Sequence, residues 1–251
     1  MLYYKGIPSN DVVNPVNSLG FRGEEILLDK KGSIRVVCMG GSTTYGLGLP
    51  YRDTFPKLLQ DKLDLYCGKN VYEVINTAQP AFNLNHIINM TKRELLLLNP
   101  DMVILMEVIN NFIWPCTSNE GNGLVEVKDF IVKHFCIGLI IHDFFIESYE
   151  SVTIILRNFN WARFANSLMN SPNVWSEYER HLNILIECIY NHNPSTKFII
   201  LEQPFNSINF PEMQEPYKKA LDIMSKIADS NENIDLLHTQ MAIIDATQKR
   251  E

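Results

Sequence analysis

The chain has 251 residues, of which 46% are hydrophobic and 20% are charged, and this composition predicts one globular domain with a large core. The formal charge is −7 and the sequence shows no basic face, so a nucleic-acid partner is not expected. The five cysteines and six histidines are scattered without C-x-x-C or H-E-x-x-H spacing, so neither a disulfide framework nor a structural metal is expected.

The N-terminus has no basic region followed by an apolar core, so no secretory signal is expected in the chain as given, and a cytoplasmic location is the default expectation. The most apolar segment, residues 130–145, is short and is interrupted by Lys133, His134, His142 and Asp143. It is therefore interpreted as a buried or lid helix rather than an interfacial helix, and no transmembrane segment is predicted.

In chain order, residues 1–30 are interpreted as an irregular N-terminal arm, and short β-branched runs then alternate with helical periodicity. Five strands are predicted, at residues 34–39, 71–76, 102–107, 197–202 and 233–237. Helices are predicted between them from apolar stripes at helical spacing: Phe55, Leu58, Leu59 and Leu63; Ile87, Ile88 and Leu95; Tyr178, Leu182, Leu185, Ile186 and Ile189; and the segment 216–228.

This alternation predicts an α/β fold, a three-layer α/β/α sandwich around a five-stranded parallel sheet in the flavodoxin-like order 2-1-3-4-5. Residues 113–172 break the alternation with helical, aromatic-rich sequence, which is interpreted as a helical insertion or cap. The whole chain, 1–251, is then a single domain.

The glycine-rich stretch Gly40-Gly41-Ser42-Thr43-Thr44 follows the first strand. It is not a nucleotide phosphate loop, because Leu47 stands where that loop needs lysine, and it lacks the third glycine of a dinucleotide-binding fingerprint. Thr44 replaces the last glycine of the α/β-hydrolase nucleophile elbow. A serine nucleophile of another type and a tight turn are the two alternatives that stay open.

Polar residues also follow the second and third predicted strands, in the segments 76–82 and 107–112. In the predicted strand order the loops after the first three strands converge at one edge of the sheet. Each residue alone has an ordinary structural explanation, because serine commonly caps helices and asparagine commonly occupies turns.

Together these segments resemble the SGNH/GDSL hydrolase superfamily, over about residues 15–112. Residues 40–43 are similar to its first block, residues 76–81 to its second, and residues 108–111 to its third; residues 17–23 fit an Asn-x-x-Gly-Phe-Arg-Gly arm that precedes the Gly-Gly-Ser-Thr-Thr subgroup. The resemblance implies that Ser42 is the nucleophile, and that the oxyanion hole consists of the Ser42 N–H, the Ala81 N–H and the Asn110 side-chain amide. Ala81 stands where the family has glycine, which requires a negative φ if alanine is to be unstrained. Val108 and Asn111 replace the glycine and aspartate of the third block.

A serine nucleophile needs a base, and the family takes it from an Asp-x-x-His motif near the C-terminus. Asp235 and His238 match this spacing, with Asp235, or a backbone carbonyl, supporting the imidazole. They coincide with the fifth predicted strand, three strand spacings or about 14 Å from the first. The alternatives are a chain without a base, a C-terminally shortened enzyme, or another histidine among His86, His134, His142, His181 and His192.

The leading hypothesis is a serine esterase or deacetylase that cleaves an ester of a carbohydrate or lipid through an acyl-enzyme, with no metal or organic cofactor. A second hypothesis is a non-catalytic binding module that keeps the fold and lacks the base. A third is phosphate binding at the start of the helix that follows Gly41. The sequence predicts neither a particular acyl group nor an oligomeric state.

Overall fold

The computed structural model describes residues 8, 9, 11, 13–113, 160–203 and 211–239, and within them the predicted parallel sheet is confirmed. Its strands are β1 (Ile34–Gly40), β2 (Tyr72–Asn76), β3 (Met102–Met106), β4 (Lys197–Leu201) and β5 (Ile234–Leu237). Every neighbouring pair is parallel, and the order is β2-β1-β3-β4-β5. Each strand end lies within one residue of its predicted position.

The helices between the strands also follow the predicted stripes. They are α1 (Ser42–Tyr45), α2 (Phe55–Cys67), α3 (Leu84–Arg93), α4 (Ile109–Ile113), α5 (Trp161–Met169), α6 (Pro172–His192) and α7 (Gln214–Asp229). The predicted stripe on α6 is fully buried, whereas Leu58 on α2 is 49% exposed, so that part of the α2 prediction was wrong. The helix α3 ends at Arg93, and a 3₁₀ turn, Leu95–Leu98, continues to Asn99 in the left-handed region.

The sheet separates two apolar layers, as the predicted sandwich requires. One face packs side chains such as Val37, Leu105 and Phe198 against α3, α6 and α7. The other face packs Val36, Cys38 and Ile104 against Phe55 and Leu59 of α2. The two central strands β1 and β3 are therefore buried on both sides, which explains why they read as continuous apolar runs.

The N-terminal arm is irregular over its described part, with isolated β-bridges joining Ser9 to Val16, Val16 to Arg22, and Arg22 to Asn76 at the end of β2. Most of the predicted insertion, residues 114–159, lies outside the described residues, and the described part of it includes the helix α5. The single-domain assignment stays a prediction.

None of the helices within the described ranges is long and apolar enough to cross a membrane. The apolar segment 130–145, interpreted from the sequence as a buried or lid helix, lies outside those ranges.

Candidate active site

The two glycines before Ser42 are required by close packing at the end of β1. A Cβ atom on Gly40 would lie 2.1 Å from Thr44 Oγ1 and 2.5 Å from the Met106 carbonyl oxygen. One on Gly41 would lie 2.3 Å from Asn110 Nδ2. No side chain fits at either position, because the chain packs directly against the end of β3 and the loop after it before it reaches Ser42.

Ser42 is the first residue of α1 and is half-buried. In the described part of the chain its hydroxyl forms no hydrogen bond, so it is not used as a helix cap. Gly41 occupies the N-cap position. The helix α1 has only four residues, which leaves it a weak dipole for the phosphate-binding hypothesis.

Arg22 of the N-terminal arm, which is 4% exposed, binds the turn that follows Ser42. Its Nη1 donates to the carbonyl oxygens of Tyr45 (2.9 Å) and Gly46 (2.7 Å), and its Nη2 donates to the carbonyl of Leu49. Asn76 Nδ2 donates to the carbonyls of Thr44 and Tyr45 at 3.2 and 3.3 Å. The carbonyls at the end of α1, which no helical N–H can satisfy, are therefore bound by the arm and by the second block.

Ala81, in the loop after β2, has a φ of +63°. The expectation of a negative φ was wrong, because the turn holds Ala81 in the left-handed region, which glycine adopts without strain. For alanine this conformation costs about 1–2 kcal/mol. The Ala81 N–H forms no hydrogen bond to any described residue, so it is available as a donor.

The loop after β3 brings Asn110 against Gly41. Asn110 Nδ2 donates to the Phe82 carbonyl at 2.8 Å and to Glu107 Oε2 at 3.2 Å. Asn111 has a different task, because its Oδ1 accepts the Leu84 N–H at 2.8 Å and so fixes the start of α3. The structure therefore brings together Gly41, the carbonyl of Phe82 and the amide of Asn110.

His238 follows β5 directly, and the carboxylate that faces it belongs to Glu202, not to Asp235. His238 Nδ1 lies 3.4 Å from Glu202 Oε2; the imidazole side chain is 53% exposed and the Glu202 side chain is 3% exposed. Asp235 lies inside β5 opposite Ile199, and over the described ranges it makes no contact with His238. This corrects the expectation that Asp235 supports the imidazole, because residues three apart on a strand face opposite sides of the sheet.

The strand order and register place His238 far from Ser42 across the sheet. One row of laterally paired residues across β1, β3, β4 and β5 contains Gly40, Met106, Leu201 and Leu237. The next residue of each chain segment, Gly41, Glu107, Glu202 and His238, therefore lies in the following row. Two strands, β3 and β4, separate the strand of Ser42 from that of His238, which keeps the predicted lateral separation of about 14 Å.

Two of the other described histidines, His86 and His181, have structural partners. His86 belongs to the capping box of α3, with its Nδ1 2.6 Å from Asn83 Oδ1, and it stacks on Phe82; burial lowers its pKa. His181 is buried on α6, with its Nε2 3.0 Å from Arg180 Nη2. His192 is the last residue of α6, and His134 and His142 lie outside the described residues.

Sequence reasoning missed three side chains at this edge. Glu107 and Glu202 are each 2% exposed and directly follow β3 and β4. Gln203 links the two halves of the edge, because its Oε1 accepts the N–H groups of Val108 and Ile109 and its Nε2 donates to Thr43 Oγ1 at 2.9 Å. The available signal was a polar residue directly after the apolar run of an interior strand. Among the residues that the structure describes, no group of three or more His, Cys, Asp or Glu side chains is arranged to hold a metal ion.

No protein-family model matches the sequence, and no curated protein matches it. Solved structures match by fold. A member of the lipolytic protein G-D-S-L family from Veillonella parvula superposes with a TM-score of 0.51 and 11% identity, over 86% of this chain and 84% of that chain. A mutant of the esterase AlinE4 superposes with a TM-score of 0.50 and 11% identity, over 86% of this chain and 82% of that chain. AlinE4 is an SGNH-hydrolase family esterase. The chain therefore has the fold of the SGNH and GDSL hydrolases.

Proposed function

We propose that this chain is a serine hydrolase of the SGNH class that cleaves an ester through an acyl-enzyme on Ser42. The observation that supports this most is the convergence at one sheet edge of Gly41, next to Ser42, the Phe82 carbonyl, next to Ala81, and the Asn110 amide. These groups come from three separate loops. An ordinary turn after β1 would not need the other two.

The chemistry of the proposal is nucleophilic acyl transfer. The Ser42 hydroxyl attacks the ester carbonyl while the base takes its proton, and the carbonyl oxygen becomes an anion in the tetrahedral intermediate. The N–H groups of Ser42 and Ala81 donate to that anion, with Asn110 as the third donor. A single donor of this kind contributes about 100- to 1,000-fold in rate. The intermediate collapses by breaking the ester C–O bond, the alcohol leaves with that proton, and water then hydrolyses the acyl-serine to release the acid and the free Ser42 hydroxyl.

His238 is the proposed base and Glu202 its carboxylate partner. The Glu202 carboxylate lies on the Nδ1 side of the ring, which leaves Nε2 for the serine proton. Proton transfer requires Nε2 to come within about 3 Å of the hydroxyl, so the segment that carries His238 has to move toward β1 for this step. The substrate class, an acyl or acetyl ester of a carbohydrate or lipid, rests on the family resemblance alone.

The separation between Ser42 and His238 favours a second candidate, a binding module that keeps the oxyanion pocket without turnover. The two candidates differ in the role of Ser42. The hydrolase needs its hydroxyl, whereas the module would bind an acetylated oligosaccharide equally well after Ser42→Ala.

The test is labelling by a fluorophosphonate probe, together with hydrolysis of p-nitrophenyl acetate. We expect the wild-type protein to be labelled and active, and Ser42→Ala to lose both properties. Ser33→Ala is the matched control, because the Ser33 hydroxyl donates to the Lys30 carbonyl in the turn before β1, at the opposite end of the sheet. Absence of labelling in folded wild-type protein, with oligosaccharide binding that survives Ser42→Ala, would replace the hydrolase with the binding module.

A further inference from the structure

Glu107 is a buried carboxyl group without an ionic partner. It directly follows β3, is 2% exposed, and in the described part of the chain forms no ion pair. A buried carboxyl is costly unless its oxygens are hydrogen-bonded, so its contacts are expected to have a specific task.

Those contacts are all N–H donors from the candidate active site. Oε1 accepts from the Asn110 backbone N–H at 2.9 Å and from Asn111 Nδ2 at 3.4 Å. Oε2 accepts from Asn110 Nδ2 at 3.2 Å, and the Gly41 backbone N–H also donates to this carboxyl. A Cβ atom on Gly41 would lie 2.6 Å from Oε2, so the carboxyl packs directly against the peptide that leads into Ser42.

The Asn110 amide has two hydrogens, and both are bound in this arrangement. One is donated to the Phe82 carbonyl and the other to Glu107 Oε2. Together with the backbone N–H of Asn110, which binds Oε1, these bonds fix both the rotamer and the plane of the amide. The longer of the two amide bonds, to Glu107, is the one that would exchange more readily for a substrate oxygen.

We propose that Glu107 is a positioning residue that sets the orientation of the Asn110 amide and of the Gly40–Gly41 peptide, which directly precedes Ser42. It acts through these groups and does not touch the substrate. Its consequence for catalysis rests on the proposed hydrolase function, whereas its control of the Asn110 amide does not.

The protonation state of Glu107 provides a way to observe this control. Burial raises the pKa of Glu107 to about 8, against the opposing effect of the N–H donors from Asn110 and Gly41. The titratable group that faces it from a packed helix is Tyr178 of α6, whose hydroxyl lies 3.4 Å from the Glu107 carbonyl oxygen. The pKa of Tyr178 is raised well above 10 by burial and by the charge of Glu107, so Tyr178 stays neutral while Glu107 titrates.

Ionised Glu107 presents acceptors to all four N–H donors. Neutral Glu107 carries a proton on one oxygen, where every contact is already a donor, so at least one of these bonds has to rearrange. The environment of the Asn110 amide hydrogens therefore changes as Glu107 titrates.

The experiment is an NMR titration of protein labelled with ¹⁵N-asparagine, between pH 6 and pH 10. We expect the Asn110 side-chain amide resonances to shift with a midpoint near pH 8. Glu107→Gln should abolish this titration. Glutamine has only one oxygen, so its NH₂ group faces N–H donors that the carboxylate accepts, and the Asn110 resonances should also move at every pH.

The kinetic arm uses the fluorophosphonate probe on the same proteins. At pH 9, where Glu107 is ionised, we expect Glu107→Gln to lower the maximal inactivation rate, kinact, about tenfold or more while KI stays within about twofold, because the oxyanion donors are misplaced and the binding surface is intact. Glu73→Gln is the matched control: it breaks an ion pair with buried Arg35 near the start of β1, at the opposite end of the sheet, and should leave kinact unchanged.

The outcomes separate the two proposals. Asn110 resonances that do not titrate in the wild-type protein, or that are the same in Glu107→Gln, overturn the positioning role. Asn110 resonances that titrate in a protein whose Ser42 is never labelled support the positioning role and reject the hydrolase. Titration together with a loss of kinact specific to Glu107→Gln supports both.

Discussion

Replacement of Arg22 by lysine tests whether the N-terminal arm stabilises residues 45–49, the turn that follows Ser42. Arg22 donates to the carbonyls of Tyr45, Gly46 and Leu49 and to Asn14 Oδ1 (2.5 Å), and its guanidinium lies 4.8 Å from the centre of the Tyr45 ring. Arg22→Lys keeps the charge, but a single ammonium nitrogen cannot reach acceptors that two separate guanidinium nitrogens reach. We expect at least two charge-assisted hydrogen bonds to be lost, at about 1.5 kcal/mol each, so the free energy of unfolding should fall by about 3 kcal/mol.

Urea unfolding followed by circular dichroism measures this change. A loss of about 3 kcal/mol corresponds to a decrease of about 6–12 °C in Tm for a chain of this size. Arg52→Lys is the control, because the Arg52 side chain is 82% exposed and its one ion pair among the described residues is with its neighbour Asp53, at 3.8 Å; it should change stability by less than about 0.5 kcal/mol. Equal urea midpoints for the two variants would refute the claim that Arg22 holds the turn.

Three further predictions concern the loops at the same edge. Ala81→Gly should raise the free energy of unfolding by about 0.5–1 kcal/mol, because relief of the strain at a φ of +63°, about 1–2 kcal/mol, exceeds the cost of about 0.4–1 kcal/mol from the larger unfolded-state entropy of glycine; a lower urea midpoint would contradict this. Gln203→Ala should lower it by about 1–2 kcal/mol and slow the labelling of Ser42, since it removes the link to Thr43; unchanged unfolding and labelling would argue against that link. The pKa of Glu107, raised by burial from its ordinary 4.5 to about 8, favours the native state below pH 4.5, and this stability is lost as the pH rises through 8. Between pH 5 and pH 9 the wild-type protein should therefore lose about 4 kcal/mol more stability than Glu107→Gln, and parallel pH profiles of the urea midpoint would reject this contribution.

The sheet could be predicted from the sequence because its strands are buried runs bounded by turn residues. β1 and β3 lie between two helical layers, so their apolar runs are continuous and their ends are sharp. The helices were predicted for the same reason, through stripes such as the one on α6. Leu58 departs from its stripe because α2 covers only part of one sheet face, so fewer of its positions are buried.

The site could be predicted only where a single loop sets the geometry. Ser42 and Asn110 occupy fixed positions after β1 and β3, and parallel strands bring those positions together. The φ of Ala81 could not be predicted from its residue type, because alanine usually avoids the left-handed region. The signal that indicated a left-handed residue was the glycine of the second sequence block that residues 76–81 resemble. Glu107 was interpreted only as a strand end, although a carboxylate directly after the five apolar residues of an interior strand indicates a buried group that needs hydrogen-bond donors.

The pairing of His238 is a case in which strand periodicity should have outweighed motif spacing. Asp235 and His238 match the family spacing, but that spacing has its usual meaning only in a loop, whereas here Asp235 is a strand residue and faces away. The carboxylate that meets His238 comes from the neighbouring strand, at the position of the same row. A two-residue motif is therefore informative only together with the secondary structure that carries it.

Gln203 limits where a base for Ser42 can come from among the residues described. Its side chain starts one residue beyond Glu202 at the end of β4 and reaches Thr43, the neighbour of Ser42, at 2.9 Å. A glutamine side chain thus spans the distance from β4 to α1 completely. His238 starts one strand further away, about 4.8 Å, and its ring is shorter than that reach, so it cannot touch Ser42 while β5 holds its place. If Ser42 is acylated at a useful rate with His238 as the base, the segment after β5 has to move toward β1, and His238→Asn should then abolish labelling of Ser42. Unchanged labelling in His238→Asn would exclude His238 as the base. In Gln203→His an imidazole starts from the position that already reaches Thr43, so recovery of labelling in the double variant His238→Asn/Gln203→His would show that the distance of the base limits the reaction.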